Sequence, residues 1–97
     1  MKRDDILNRL HERRRDIADR FAVERLGVFG SAARDELRED SDVDVLVAFR
    51  GRATLDGYVS LKTYLEDLFG RKVDLVTETG LKPRARSHVE RDLIRVP

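Results

Sequence analysis

The seven residues from Val43 to Phe49, Val-Asp-Val-Leu-Val-Ala-Phe, constrain the chain more than any other segment. The run is too short for an ordinary helix, rich in β-branched valine and apolar at almost every position. That is the pattern of a strand covered on both faces. It is bounded by the polar Glu39-Asp40-Ser41 and by Arg50-Gly51-Arg52. A strand of this kind needs material on either side, and the remaining sequence must supply it.

Ile6, Leu7, Leu10, Ile17, Ala18 and Phe21 recur at helical intervals with charged residues between them, which predicts an amphipathic helix from Asp4 to Phe21. Val23 to Phe29 is short, apolar and β-favouring, and it stops at Gly30-Ser31, so a strand enters a tight turn there. Ala32 to Leu37 then reads as a short helix with Ser31 as its cap. Leu55, Tyr58, Val59, Leu61, Tyr64, Leu65 and Leu68 predict a second long helix, closed by Gly70 in the position a left-handed cap favours. Lys72 to Val76 reads as a third strand. Pro83 to about Ile94 reads as a last helix, with proline in its first turn and Ala85, Val89 and Leu93 four residues apart. Strands alternating with helices imply an α/β layer structure, and 97 residues suffice for one domain, residues 1–97.

Composition narrows the function classes. Hydrophobic and charged residues each make up 40% of the chain, which suits a compact core under a heavily solvated surface. A net charge of only +1 provides no global field for binding nucleic acid directly, and such binding is not expected. The absence of cysteine excludes disulfides, thiolate metal sites and thiol nucleophiles. No apolar stretch approaches the roughly 20 residues of a membrane helix, and Met1-Lys2-Arg3-Asp4-Asp5 leads straight into charged helical sequence, so a cytoplasmic protein is expected. Arg13-Arg14-Arg15, balanced by Glu12, Asp16 and Asp19, reads as a solvated helix face, as do Arg84, Arg86, Arg91 and Arg95. His11 and His88 have no companion ligands, and Tyr58 and Tyr64 fit the helix-to-core pattern.

Three carboxylates stand apart. Asp42 and Asp44 lie two residues apart at the start of the second strand, so their side chains leave one face about 6 to 7 Å from each other, a spacing that can bracket a metal. Asp74 sits between Val73 and Leu75-Val76, where burial of an unpaired carboxylate would cost several kcal/mol. Its compensating partner is either a basic neighbour, Arg71 or Lys72, or a divalent cation. Asp-x-Asp alone is more often surface chemistry than catalysis. If the two strands are neighbours, however, parity brings all three carboxylates together. Oxygen-only ligation selects hard cations such as magnesium or manganese, and two such ions can serve an in-line displacement at phosphorus.

Gly30 lets the backbone approach an anion closely, Ser31 adds a hydroxyl donor, and the amides that follow point toward where phosphate oxygens would lie. Gly-Ser alone is only a turn. The ordered set of Gly30-Ser31, then Asp42-Val43-Asp44, then a later strand with Asp74 is much more specific. It resembles the nucleotidyltransferase superfamily of DNA polymerase beta, and within it the minimal nucleotidyltransferases, the small MNT proteins encoded beside HEPN-domain partners in prokaryotes. The resemblance runs through nearly the whole chain, including Leu26-Gly27-Val28-Phe29, Ser41-Asp42-Val43-Asp44 and Gly70-Arg71-Lys72-Val73-Asp74-Leu75-Val76.

The resemblance implies a mixed β-sheet with helices packed mainly on one face, Asp42, Asp44 and Asp74 as catalytic and metal-binding residues, and two magnesium ions. ATP would be the donor, its triphosphate held against Gly30 and Ser31, and Asp74 would also help to deprotonate the acceptor hydroxyl. Relatives commonly read Gly-Ser-Arg-Ala-Arg-Gly where this chain reads Gly30-Ser31-Ala32-Ala33-Arg34-Asp35. Ala32 therefore replaces one basic group, and Arg34 either pairs with a phosphate or is a surface residue. The implied activity is transfer of AMP to a tyrosine of a HEPN-domain toxin, with this chain as the antitoxin. A non-catalytic antitoxin and a small-molecule transferase of the aminoglycoside-modifying kind are the alternatives. A homodimer and a hetero-oligomer with the toxin both stay open.

Overall fold

The structure is a computed structural model that describes residues 1–97. Helix α1 spans Arg3–Phe21, strand β1 Val23–Phe29, helix α2 Gly30–Ala33 and strand β2 Val43–Phe49. Helix α3 spans Leu55–Phe69, strand β3 Val73–Thr77, helix α4 Pro83–Asp92 and strand β4 Ile94–Arg95. The strands form one mixed sheet in the order β3-β2-β1-β4. β2 runs parallel to β3 and antiparallel to β1, and β4 runs antiparallel to β1. The expected mixed sheet is therefore present.

Both long helices begin and end on local chemistry. The backbone N–H of Lys2 donates to Asp5 Oδ2 at 3.1 Å, and Ala22 closes α1 in the left-handed region. In α3 the Thr54 hydroxyl accepts from the backbone N–H of Gly57 at 3.0 Å, and Gly70 at φ +66° provides the terminal cap. The inward stripes of these helices, Ile6, Leu10 and Ile17 with Leu61, Leu65 and Phe69, pack on alternate positions of the strands. Those positions are Leu26 and Val28, Val43, Val45 and Val47, and Val73 and Leu75. Arg14, in the middle of α1, ties that helix to the start of β1 and to the C-terminal residues by donating to the carbonyls of Glu24 and Val96.

The second face of the sheet is only partly covered. Gly27 lies on it, and a Cβ there would stand 2.7 Å from Leu93 Cδ1, so the missing side chain lets the end of α4 settle against β1. Leu46, Ala48 and, on α4, Val89 are buried outside the main core. β2 is thus covered on both faces over most of its length, as its composition predicts.

Three expectations need correction. The short helix predicted over Ala32 to Leu37 runs instead over Gly30–Ala33, with Phe29 rather than Ser31 at the capping position. Gly30 takes φ +68° and starts the turn itself, and Asp35 at φ +60° ends it. The last helix stops at Asp92, because Ile94 and Arg95 turn back to pair with Val28 and Gly27. Asp74 is exposed rather than buried, since β3 is an edge strand and its second face meets solvent.

Candidate active site

The register puts Asp44 at the centre of the site. It is opposite Phe29 on one side and Asp74 on the other. Because β2 and β3 are parallel and paired in register, both carboxylates leave the same face of the sheet. Asp42 lies just ahead of the strand on that face. β2 is held in register by the three valines of its other face. The position of Asp44 is therefore a product of core packing on the side it does not touch.

Gly30 closes over Asp44 from the end of β1. A Cβ added at Gly30 would fall onto Asp44 Oδ2, and φ at this position is +68°, a region that L side chains rarely adopt. The sequence marks Gly30 as a place where the backbone approaches a bound anion, and the neighbour that the structure sets against it is the Asp44 side chain.

Asp44 is half-buried, whereas Asp42 and Asp74 are exposed. Burial pushes the Asp44 carboxyl up to about 6, and the charge of Asp74, a hydrogen bond shared with it and the charge of Asp42 act in the same direction. Arg34 alone opposes them. The carboxylates do not by themselves form a closed set of three or more cation ligands. They make an open rim of hard oxygen donors whose mutual repulsion a divalent cation would relieve, and in that respect the residues fit magnesium. Of the alternative partners for Asp74, a basic neighbour or a cation, Arg71 donates elsewhere, to the carbonyl of Ser41 at 3.5 Å.

Beside the rim, Ser31, Arg34, Glu36, Arg38, Asp40 and Ser41 line an open cleft of about 690 Å³. Ser31 and Arg34 both line this cleft, and Gly30, next to Ser31 in the chain, abuts Asp44. The Arg34 guanidinium is already engaged. Its Nη1 donates to Asp92 Oδ2 at 2.6 Å and its Nε to Glu36 Oε2 at 3.4 Å. Asp92 is the residue that sequence reading misses. It lies in α4, far along the chain from Arg34, and only the packing of α4 on the sheet brings the two together. His11, in α1, and His88, one turn before Asp92 in α4, are both exposed.

Comparison with known proteins identifies the family. The nucleotidyltransferase domain family matches residues 8–96. The protein adenylyltransferase MntA of Thermococcus cleftensis is 40% identical over 93 residues, which span 96% of this chain and 94% of the relative. A solved structure assigned as a minimal nucleotidyltransferase superposes with a TM-score of 0.75 at 47% identity, over 91% of this chain and 93% of the other. A chain from the complex of tri-AMPylated Shewanella oneidensis HEPN toxin with MNT antitoxin gives a TM-score of 0.71 at 17% identity, over 98% and 71%. That last likeness is one of fold. With nearly its full length matched, the chain belongs to the nucleotidyltransferase domain family, as a minimal nucleotidyltransferase.

Proposed function

We propose that the protein is a magnesium-dependent adenylyltransferase that moves AMP from ATP to a tyrosine hydroxyl of a HEPN-domain toxin and thereby acts as its antitoxin. The observation that carries the reading is the pairing of Asp44 with Asp74 across parallel strands, beneath a glycine turn that leaves room for nothing larger. A scaffold used only for binding gains nothing from a half-buried carboxylate facing two others, which is a destabilising arrangement without a cation.

Magnesium held by Asp42, Asp44 and Asp74 would neutralise the triphosphate and favour ionisation of the acceptor. The chain's own groups do the rest. Ser31 offers a hydroxyl to a phosphate oxygen, and Arg34 offers the guanidinium N–H groups that its carboxylate partners leave free. The acceptor oxygen bonds to the α-phosphorus as the bond to the pyrophosphate oxygen breaks, and the hydroxyl proton passes to the Asp74 carboxylate. Asp74 suits that role because it is exposed on the face an acceptor must approach.

Exposure of Asp42 and Asp74 also favours an acceptor presented by another protein, since no part of this chain encloses the rim. The likeness to a protein adenylyltransferase of Thermococcus supports protein as the acceptor class, and the HEPN–MNT complex supports the partner. The test combines the protein, labelled ATP, magnesium and the candidate toxin, with Asp42→Ala and Asp44→Ala as controls. Label should reach the toxin with the wild type alone, and toxin activity should fall in parallel. Equal neutralisation by both variants would replace catalysis with stoichiometric binding.

A further inference from the structure

Arg34 is held by two carboxylates of very different character. Asp92 Oδ2 is 2.6 Å from Nη1, and the Asp92 side chain is only 18% exposed. Glu36 Oε2 is 3.4 Å from Nε, and its side chain is 63% exposed. The first contact is short and largely screened from water, whereas the second is long and open to solvent, so a competing anion displaces the second more readily.

The setting of Asp92 points the same way. It is the final residue of α4, where a negative charge opposes the helix dipole, and Arg34 supplies the compensating cation. The backbone of Arg34 is fixed as well, because its N–H donates to the carbonyl of Gly30 at 3.1 Å. The guanidinium is therefore anchored at both ends, on the wall of the cleft that also carries Ser31.

We infer that Asp92 is a positioning residue for nucleotide binding: it clamps the Arg34 guanidinium at the cleft, and a phosphate of the nucleotide takes the place of Glu36. The inference rests on the reading of this cleft as the triphosphate's. It gives the C-terminal end of α4 a part in nucleotide affinity although Asp92 touches no substrate. It also fits the single arginine of this turn. Ala32 and Ala33 precede it, so Arg34 is the one cation of the turn that begins at Gly30, with Arg38 further along the same cleft.

Two substitutions on either side of one arginine should act in opposite directions. Equilibrium binding of magnesium and a non-hydrolysable ATP analogue is measured for the wild type, Asp92→Ala, Glu36→Gln, Arg34→Ala and the two double variants with Arg34→Ala. Steady-state transfer to the toxin is followed in parallel. Asp92→Ala should raise Kd and KM about tenfold, the scale of one lost charge-assisted contact, while kcat stays within about twofold. Glu36→Gln should lower Kd by about two- to threefold, as a weak exposed competitor is removed. Both effects should vanish in the Arg34→Ala background.

Unchanged or tighter binding by Asp92→Ala overturns the inference, as does a loss that persists without Arg34. Should Asp92→Ala fail to fold, Asp92→Asn keeps the hydrogen-bonding oxygen without the charge and should weaken binding by a smaller factor. A wild type that neither binds the analogue nor transfers label removes the nucleotide reading itself, and the inference with it.

Discussion

The two faces of β2 are built on opposite rules. On the helix-facing side Val43, Val45 and Val47 are each 0% exposed and packed by α1 and α3. On the other side Asp44 is half-buried and close to two like charges, while Leu46 and Ala48 further along are covered again. One face stabilises the strand, and the other holds an ionisable group under unfavourable conditions at the single point where the cover opens. The difference teaches that the site is placed by the core but not stabilised by it. Stability and chemistry should therefore separate cleanly under mutation.

The largest expected effect falls on the chemical face. Asp44→Asn keeps size and shape but removes the charge, and transfer should fall by about a thousandfold or more, some 4 kcal/mol of barrier. The folded protein should survive, as read by circular dichroism and label transfer together. The converse is Leu65→Ala in the opposite layer, where the side chain is fully buried. It should destabilise the fold by about 2 to 5 kcal/mol in denaturant titration, while the protein that remains folded transfers label at a near-normal rate.

Gly30→Ala tests the junction of the two regions. The added Cβ meets Asp44 Oδ2 and forces a non-glycine residue to φ +68°. Stability should drop by about 1 to 3 kcal/mol and activity should fall as well. A variant that lost neither would show that the close approach is not needed. A normal rate with reduced stability would separate the strain from the chemistry.

The smallest effect is a pH dependence measured without magnesium. The Asp44 carboxyl is raised to about 6 in the folded protein from an ordinary 3.8. Between these values the folded state binds more protons than the unfolded state, so stability falls as pH rises through the window. Asp44→Asn has no such loss. It should match the wild type near pH 4 and exceed it above pH 6 by on the order of 1 to 2 kcal/mol, allowing for water at the open side. Equal stability at pH 7 would mean that the carboxylates do not strain the fold.

Much of this was legible because the signals are local and periodic. The helical repeats of α1 and α3, the valine-rich β2 and the Gly70 cap depend on residues near in sequence, and the structure follows them closely. Parity placed Asp42, Asp44 and Asp74 on one face, but whether β2 and β3 were neighbours depended on the crossover through α3. The exposure of Asp74 could not be read from its apolar flanks, because an edge strand buries alternate residues and leaves the others to solvent. β4 has two residues and carries no pattern of its own. The Arg34–Asp92 pair joins two elements that meet only in three dimensions, and each residue alone reads as ordinary surface.

The parallel pairing of β2 with β3 also bears on how the protein is made. Asp42 and Asp44 leave the ribosome well before Asp74, and all of α3 must emerge and fold back across the sheet before the strands can align. Closing that long connection is a slow, nonlocal step compared with forming either helix. A partly synthesised chain thus carries Asp42 and Asp44 without the strand that sets Asp74 beside Asp44. The Asp44–Asp74 pairing arrives late in folding, after most of the core that positions it is already in place.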